Sequence, residues 1–206
     1  MCGRYTLITD IVDILTHFGI DLYEDRGHNP QYNVAPTKLM PIINQHKKLN
    51  MLKWGCEYKK HYVINVRNEG GFRKLKTWQR CLIPADGYYE WRKEKGIKQP
   101  YYFKTNTAWF MFAGLYQLGE NAGFTILTSK ANEQVKPYHS RMPIILTSDN
   151  QFNDFLQNNI TPVLYPNLKI IEVNKAVNNV RNNSPTCIEP QTKKQMSLNL
   201  FNSLMN

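Results

Sequence analysis

The sequence predicts an α+β fold: one compact, sheet-rich domain over residues 1–206 with a few short helices. Three observations lead there. Short runs rich in β-branched and aromatic residues recur along the chain, separated by turn-forming residues. Only four short stretches carry a helical spacing of apolar residues. Hydrophobic residues make up 42% and charged residues 20% of the 206, the composition of a globular chain that can bury a core without disulfides or metal.

The elements are expected in the following order. Residues 5–8 start a strand. Thr9 then caps a short helix whose apolar face is Ile11, Ile14, Leu15 and Phe18, with Asp10 and Asp13 in a first turn that favours negative charge. Residues 27–36 read as loop. Residues 41–44 and 51–54 pair as a hairpin around His46, Lys47 and Lys48, and 62–66 form a third strand. Further strands are expected at 81–83, 88–91, 101–104, 109–115, 124–127, 143–146 and 169–173, with the polar run 92–99 as a turn. Helices are expected at 72–78, 131–135 and 150–157, the last capped by Asp149. The asparagines around 178–183 read as loop, and 191–206 as a C-terminal tail.

Charge narrows the function class. Lys and Arg number 26 against 16 Asp and Glu, giving +10, which favours a polyanionic partner, nucleic acid first. No run of about 18 apolar residues is present, so no membrane span is expected. The first ten residues lack the pattern of a secretory signal, and a cytoplasmic location is expected. The four cysteines, Cys2, Cys56, Cys81 and Cys187, are widely spaced, which argues against a zinc site or a disulfide framework. Cys56, Cys81 and Cys187 are expected to be packing residues. No metal or organic cofactor is implied, and a monomer is expected.

Cys2 is the residue with the most chemistry. A small penultimate residue permits removal of Met1, after which Cys2 carries an α-amine and a thiol on adjacent carbons. The amine has a reference pKa of about 7.7–8.0, against about 10.4 for lysine, so a useful fraction is free base at neutral pH. That pair suits acyl transfer, or capture of an aldehyde as an imine that the thiol closes to a five-membered thiazolidine. Gly3 lets a substrate approach the backbone closely. Arg4 is placed to lower the pKa of the terminus or to hold a phosphate.

Several motifs stand in a fixed order along the chain. They are M-C-G-R-Y at 1–5, N-V-A-P-T at 33–37, N-V-R-N-E at 65–69 and R-C-L-I-P-A-D-G-Y-Y-E-W at 80–91, then F-A-G-L-Y at 112–116, T-I-L-T at 125–128, H-S-R-M-P at 139–143 and C-I-E-P at 187–190. Over residues 1–190 the chain resembles the SOS-response-associated peptidase (SRAP) family. The resemblance implies a barrel-like, sheet-rich domain with a basic DNA groove. It also implies binding of single-stranded DNA and a covalent thiazolidine crosslink from Cys2 to abasic sites, shielding the lesion in the DNA damage response. Removal of Met1, autocatalytic or assisted, and a side reaction of strand incision through the imine come with it. Carried over by motif, the active residues are Cys2, Asn65, Glu90 and His139.

The residues themselves support roles of this kind. Opening the closed hemiacetal of an abasic sugar needs a carboxyl group that passes a proton, and Glu90 stands between Tyr89 and Trp91, aromatic walls expected to raise its pKa. His139, in a polar loop before an apolar stretch, is the second acid–base candidate. Asn65, at the end of the apolar run 62–64, orients the amine and a sugar hydroxyl through its amide. Arg4, Arg67, Arg73, Arg80 and Arg141 are phosphate candidates, and Phe72 and Trp54 are candidates for stacking on bases. At 54–62 the chain reads W-G-C-E-Y-K-K-H-Y where family members commonly carry a proline and a second tryptophan, leaving Tyr58, His61 or Tyr62 to take that place. Three other readings stay open on sequence: an N-terminal-nucleophile hydrolase or amidotransferase, which also begins M-C-G, a non-catalytic reader of single-stranded DNA or modified bases, and a protease acting on other proteins through a dyad of Cys2 and His139.

Overall fold

The computed structural model describes residues 2–20, 29–70, 75, 77–94, 96–157 and 165–191. Their elements, in chain order, are β1 (Tyr5–Leu7), α1 (Ile11–His17), β2 (Gln31–Val34), β3 (Leu39–Asn44), β4 (Leu49–Lys53), β5 (Cys56–Tyr58), β6 (His61–Val63), β7 (Asn65–Arg67), β8 (Gln79–Ala85), β9 (Gly87–Glu94), β10 (Ile97–Lys104), β11 (Phe110–Gln117), β12 (Gly123–Lys130), β13 (Arg141–Pro143), β14 (Ile145–Leu146), α2 (Asp149–Leu156) and β15 (Lys169–Glu172). Two large sheets result. One runs β15-β10-β9-β1-β2 and the other β13-β12-β11-β8-β3-β4, with β14 added to β11 and β7 to β12. β5 and β6 form a separate hairpin. Among the described strands only β7 and β12 pair in parallel. The α+β, sheet-rich class expected from sequence is what the chain adopts. Barrel-like describes it only loosely, because the described strands fall into two open strand orders and a separate hairpin rather than one closed barrel.

The core lies between the sheets. Tyr5 of β1 meets Trp54 edge-on at 5.1 Å and Phe112 of β11 at 5.7 Å, and Tyr88 of β9 stacks on Phe103 of β10 at 4.8 Å. The five-stranded sheet is also covered on its outer face, where Tyr89, Tyr102, Val173, Val177 and Cys187 form a second cluster. Burial on both faces explains why β9 and β10 carry aromatic residues at consecutive positions rather than in alternation. Cys56, Cys81 and Cys187 are free and buried.

Local chemistry moves several element boundaries. Asp10, not Thr9, caps α1, its side chain accepting from the Val12 N–H at 2.9 Å. Thr9 instead gives its N–H and hydroxyl to the Asp86 carboxylate, which also takes the N–H of Ile8. Gly87 follows because a Cβ there would lie 2.3 Å from the Tyr102 ring. Ser148 occupies the cap position of α2, and Asp149 is its first residue. The expected loop 27–36 contains β2, and the expected strand 62–66 is split into β6 and β7, so Asn65 begins a strand rather than ending one. The polar run 92–99 is not a turn but the end of the β9–β10 hairpin, with Arg92 opposite Gln99 and Lys93 opposite Lys98. Residues 131–135 form turns, not a helix, and the Asn132 side chain takes the Val135 N–H at 3.0 Å. The helix expected at 72–78 falls largely outside the described residues, as do Phe72, Arg73 and most of the tail.

Candidate active site

Cys2 lies three residues ahead of β1, and the chain is gripped at once: the Tyr89 N–H of β9 donates to the Arg4 carbonyl at 3.0 Å. This seats Cys2 among the core residues with no solvent exposure. Asn65, at the head of β7, reaches across, and its Nδ2 donates to the Cys2 carbonyl at 2.8 Å. The contact differs in detail from the one expected at the amine. The Asn65 Oδ1 is buried without a hydrogen-bond partner and is the atom left to accept from an amine or a hydroxyl.

Glu90 projects from β9 opposite Tyr101 and is 4% exposed. Burial raises its pKa to about 7. The flanking aromatics do not provide that environment: on a strand, Tyr89 and Trp91 face away from Glu90, and both pack in the outer cluster. Tyr88, two residues before Glu90, shares its face. Burial and the Glu90 charge both push the Cys2 thiol well above its ordinary range, so the thiol holds its proton at neutral pH. The hydroxyls of Tyr5 and Tyr88 are buried without partners, and burial pushes both well above the ordinary tyrosine range. They line the same interior and were not singled out from sequence; their place in M-C-G-R-Y and D-G-Y-Y-E-W is the signal that was there.

His139 stands two residues before the first residue of β13. β12 lies between β13 and β7, since Thr128 pairs with Pro143 on one side and Arg67 on the other. Asn65 and His139 are thus delivered by the two strands that flank β12. Burial lowers the His139 pKa, which leaves the ring neutral at physiological pH.

The other expected DNA contacts divide. Arg67 shares a face of β7 with Asn65 and is exposed, as a phosphate ligand should be. Arg4 is committed inward: its Nη1 donates to Asn33 Oδ1 at 2.7 Å and to the Val177 carbonyl at 2.8 Å, and its guanidinium lies over Trp91. Arg80 donates to the Phe155 carbonyl at 2.8 Å and stacks on that ring, pinning α2 to β8 rather than facing the site. Arg141 makes a bidentate ion pair with Glu69. Trp54 is fully buried, with Nε1 donating to the Ile64 carbonyl, so it is a core residue and not a stacking platform. Tyr62 is 51% exposed on the β5–β6 hairpin, beside the tip residues Lys59 and Lys60. A cleft of about 530 Å3 opens at Gly3, lined by Arg4, Asn33, Pro36, Lys38 and Val180 among others. Thr37 on its wall holds a left-handed conformation (φ 77°), a strained setting for a β-branched residue. Lys38 was missed from sequence, although it follows the N-V-A-P-T motif directly. Among the described residues no group of three His, Cys, Asp or Glu side chains is placed to hold a metal. No helix among them is long and apolar enough to cross a membrane.

Residues 1–180 match the family model "SOS response associated peptidase (SRAP)". Among curated relatives, the abasic site processing protein YoqW of Bacillus subtilis is 35% identical over 222 residues, covering 92% of this chain and 99% of that protein. The abasic site processing protein YedK of Escherichia coli is 29% identical, covering 72% of this chain and 77% of that one. Among solved structures, a protein from Bacteroides thetaiotaomicron shares the fold with a TM-score of 0.75 at 21% identity, covering 93% of this chain and 100% of that one. A phage-related protein from Bordetella bronchiseptica gives 0.63 at 25% identity, covering 84% and 94%.

Proposed function

The chain belongs to the SOS response associated peptidase family, and from that premise we propose that it processes abasic sites in single-stranded DNA by a covalent bond from Cys2. The observation that carries this reading is the convergence on Cys2 of an amide donor, Asn65, and a buried carboxyl, Glu90, held near neutrality. Near pH 7 such a carboxyl is present in both protonation states, so it can take a proton and return one.

The steps follow from these settings. Met1 is removed, freeing the Cys2 amine. Glu90 takes the proton of the sugar's anomeric hydroxyl and returns one to the ring oxygen, opening the hemiacetal to an aldehyde. The amine, oriented by the Asn65 Oδ1, attacks the aldehyde carbon. His139 hydrogen-bonds the departing hydroxyl through its ring N–H, the hydroxyl takes up the proton that the carbinolamine nitrogen gives up, water leaves and an imine forms. Because burial holds the thiol protonated, the amine reacts first and the thiol second. The Cys2 Sγ adds to the imine carbon, its proton passes to the imine nitrogen, and the thiazolidine closes. Tyr5 and Tyr88, kept as neutral hydroxyls by burial, supply donors along the wall. Arg67 holds a backbone phosphate, and Tyr62 stacks on a neighbouring base.

The test is incubation with a single-stranded oligonucleotide carrying one abasic site. A heat-stable, SDS-resistant adduct is expected, absent with the intact oligonucleotide, and its mass should equal both components minus Met1 and minus water. Absence of the adduct under single-turnover conditions, or ammonia release from glutamine, would turn the assignment towards a hydrolase. Arg67→Ala is expected to reduce the slope of log affinity against log salt by about 0.7 for single-stranded DNA, the contribution of one phosphate contact. Arg80→Ala should leave that slope unchanged, since its guanidinium is spent on α2.

A further inference from the structure

His139 can serve as a donor only with its proton on the nitrogen that faces the substrate, and we infer that Glu69 is the positioning residue that sets this. The inference rests on the abasic-site reading above, because it concerns how His139 is held for that chemistry. Glu69 occupies the turn that follows β7, where the Asn68 N–H donates to the Thr128 carbonyl at 2.9 Å. Its carboxylate joins three strands. Oε1 accepts from the Lys130 N–H at the end of β12 at 3.0 Å and from Arg141 Nη1 at 3.0 Å, and Oε2 accepts from Arg141 Nη2 at 2.8 Å. Arg141 Nη2 also meets the Thr128 carbonyl at 2.5 Å and its hydroxyl at 3.1 Å. The Arg141 side chain is only 11% exposed.

Arg141 in turn touches His139 through its backbone. The Arg141 N–H donates to His139 Nδ1 at 2.9 Å, and the Arg141 carbonyl lies 3.1 Å from the same atom. An N–H can only donate, so the shorter contact requires a bare Nδ1 and puts the ring proton on Nε2. A small change of the backbone angles at the Arg141 Cα would favour the carbonyl instead and move the proton to Nδ1. The Arg141 backbone is therefore a two-way selector, and the four contacts of the Arg141 side chain, two of them to Glu69, hold it in one setting. Glu69 stays ionised well below neutral pH, its pKa drawn down to about 2 by the Arg141 hydrogen bonds. The same carboxylate ties the turn after Asn65 to the strand after His139, keeping the two sides of the site in register.

A merely structural residue would not govern the tautomer, and that is the readout. Ring 15N shifts of His139 are measured in the wild type, Glu69→Gln and Glu69→Ala, alongside single-turnover adduct formation and affinity for intact single-stranded DNA. The wild type is expected to show the Nε2–H pattern. Glu69→Ala should show averaged nitrogens and an adduct rate about tenfold lower, the usual size for losing the orienter of a functional histidine. Its DNA affinity should hold or rise, because a negative charge is gone and Arg141 keeps only its two contacts to Thr128. Glu69→Gln, which keeps one acceptor, should fall between. Unchanged ring shifts in both variants overturn the inference, whatever the rate does. A rate within twofold of wild type despite averaged nitrogens overturns it as well. If no protein forms an adduct, the abasic-site reading fails, while the ring shifts still decide the role of Glu69. If the alanine variant does not fold, the glutamine variant decides.

Discussion

Replacing Cys2 by serine is expected to abolish the heat-stable adduct and leave one that survives only after borohydride reduction. Serine keeps the α-amine, so the imine still forms at the aldehyde carbon. Its hydroxyl is a poor nucleophile beside a thiol, so ring closure fails and water reverses the imine. The unreduced adduct should fall by about 100-fold or more, while the borohydride-trapped yield stays close to wild type. Cys2 is fully buried against the core, and serine is nearly isosteric, so folding is expected to persist. A serine variant that crosslinks stably without reduction would place the bond on another residue. A variant that traps nothing would show that the amine is not the reacting group.

Glu90→Gln is expected to make the protein more stable and less active, with the stabilisation confined to neutral and alkaline pH. Below the ordinary carboxyl pKa of 4.5, Glu90 is protonated in both folded and unfolded chains and has no effect on stability. As pH rises towards 7 the unfolded chain ionises and the folded one does not, so the folded state loses ground. Above pH 7 the penalty is complete, and a rise from 4.5 to about 7 corresponds to about 3 kcal/mol. Glutamine has the same shape and no charge to bury. Denaturant melts should therefore match wild type at pH 4 and exceed it at pH 8. Adduct formation should drop by about 100-fold or more, the range for losing a positioned acid–base group. Equal stability of the two proteins at pH 8 would mean that the carboxyl is not held out of water as described.

The candidate site could be proposed from sequence because its residues sit in short motifs of fixed order, and Asn65 and Glu90 do lie beside Cys2. What could not be read was the environment of each. Tyr89 and Trp91 adjoin Glu90 in sequence, yet a strand sends neighbours to opposite faces, and these two pack in the outer cluster while Glu90 is buried on the other side. Arg4, Arg80 and Arg141 look alike as surface cations. Their partners, Asn33, Phe155 and Glu69, are 29, 75 and 72 positions away, and no local pattern reports such pairings. Trp54 followed the same logic, since an indole is equally suited to a base and to a core. The strand periodicity was legible wherever one face was apolar. It failed at the polar end of the β9–β10 hairpin, where cross-strand pairing overrides composition, and at residues 131–135, where the Asn132 side chain competes for the backbone N–H groups a helix would use.

The position of β1 has a mechanical consequence. Cys2 is three residues from Tyr5, and β1 lies inside its sheet, bonded to β9 on one side and β2 on the other. A DNA strand tethered at Cys2 and dragged by a motor would pull β1 along its own axis, shearing both ladders together rather than peeling an edge. Just beyond β1, the Asp86 carboxylate clamps the N–H groups of Ile8 and Thr9 and resists the same displacement. On the proposed crosslink, a tether at Cys2 would therefore load a strand held by hydrogen bonds on both sides rather than a free edge.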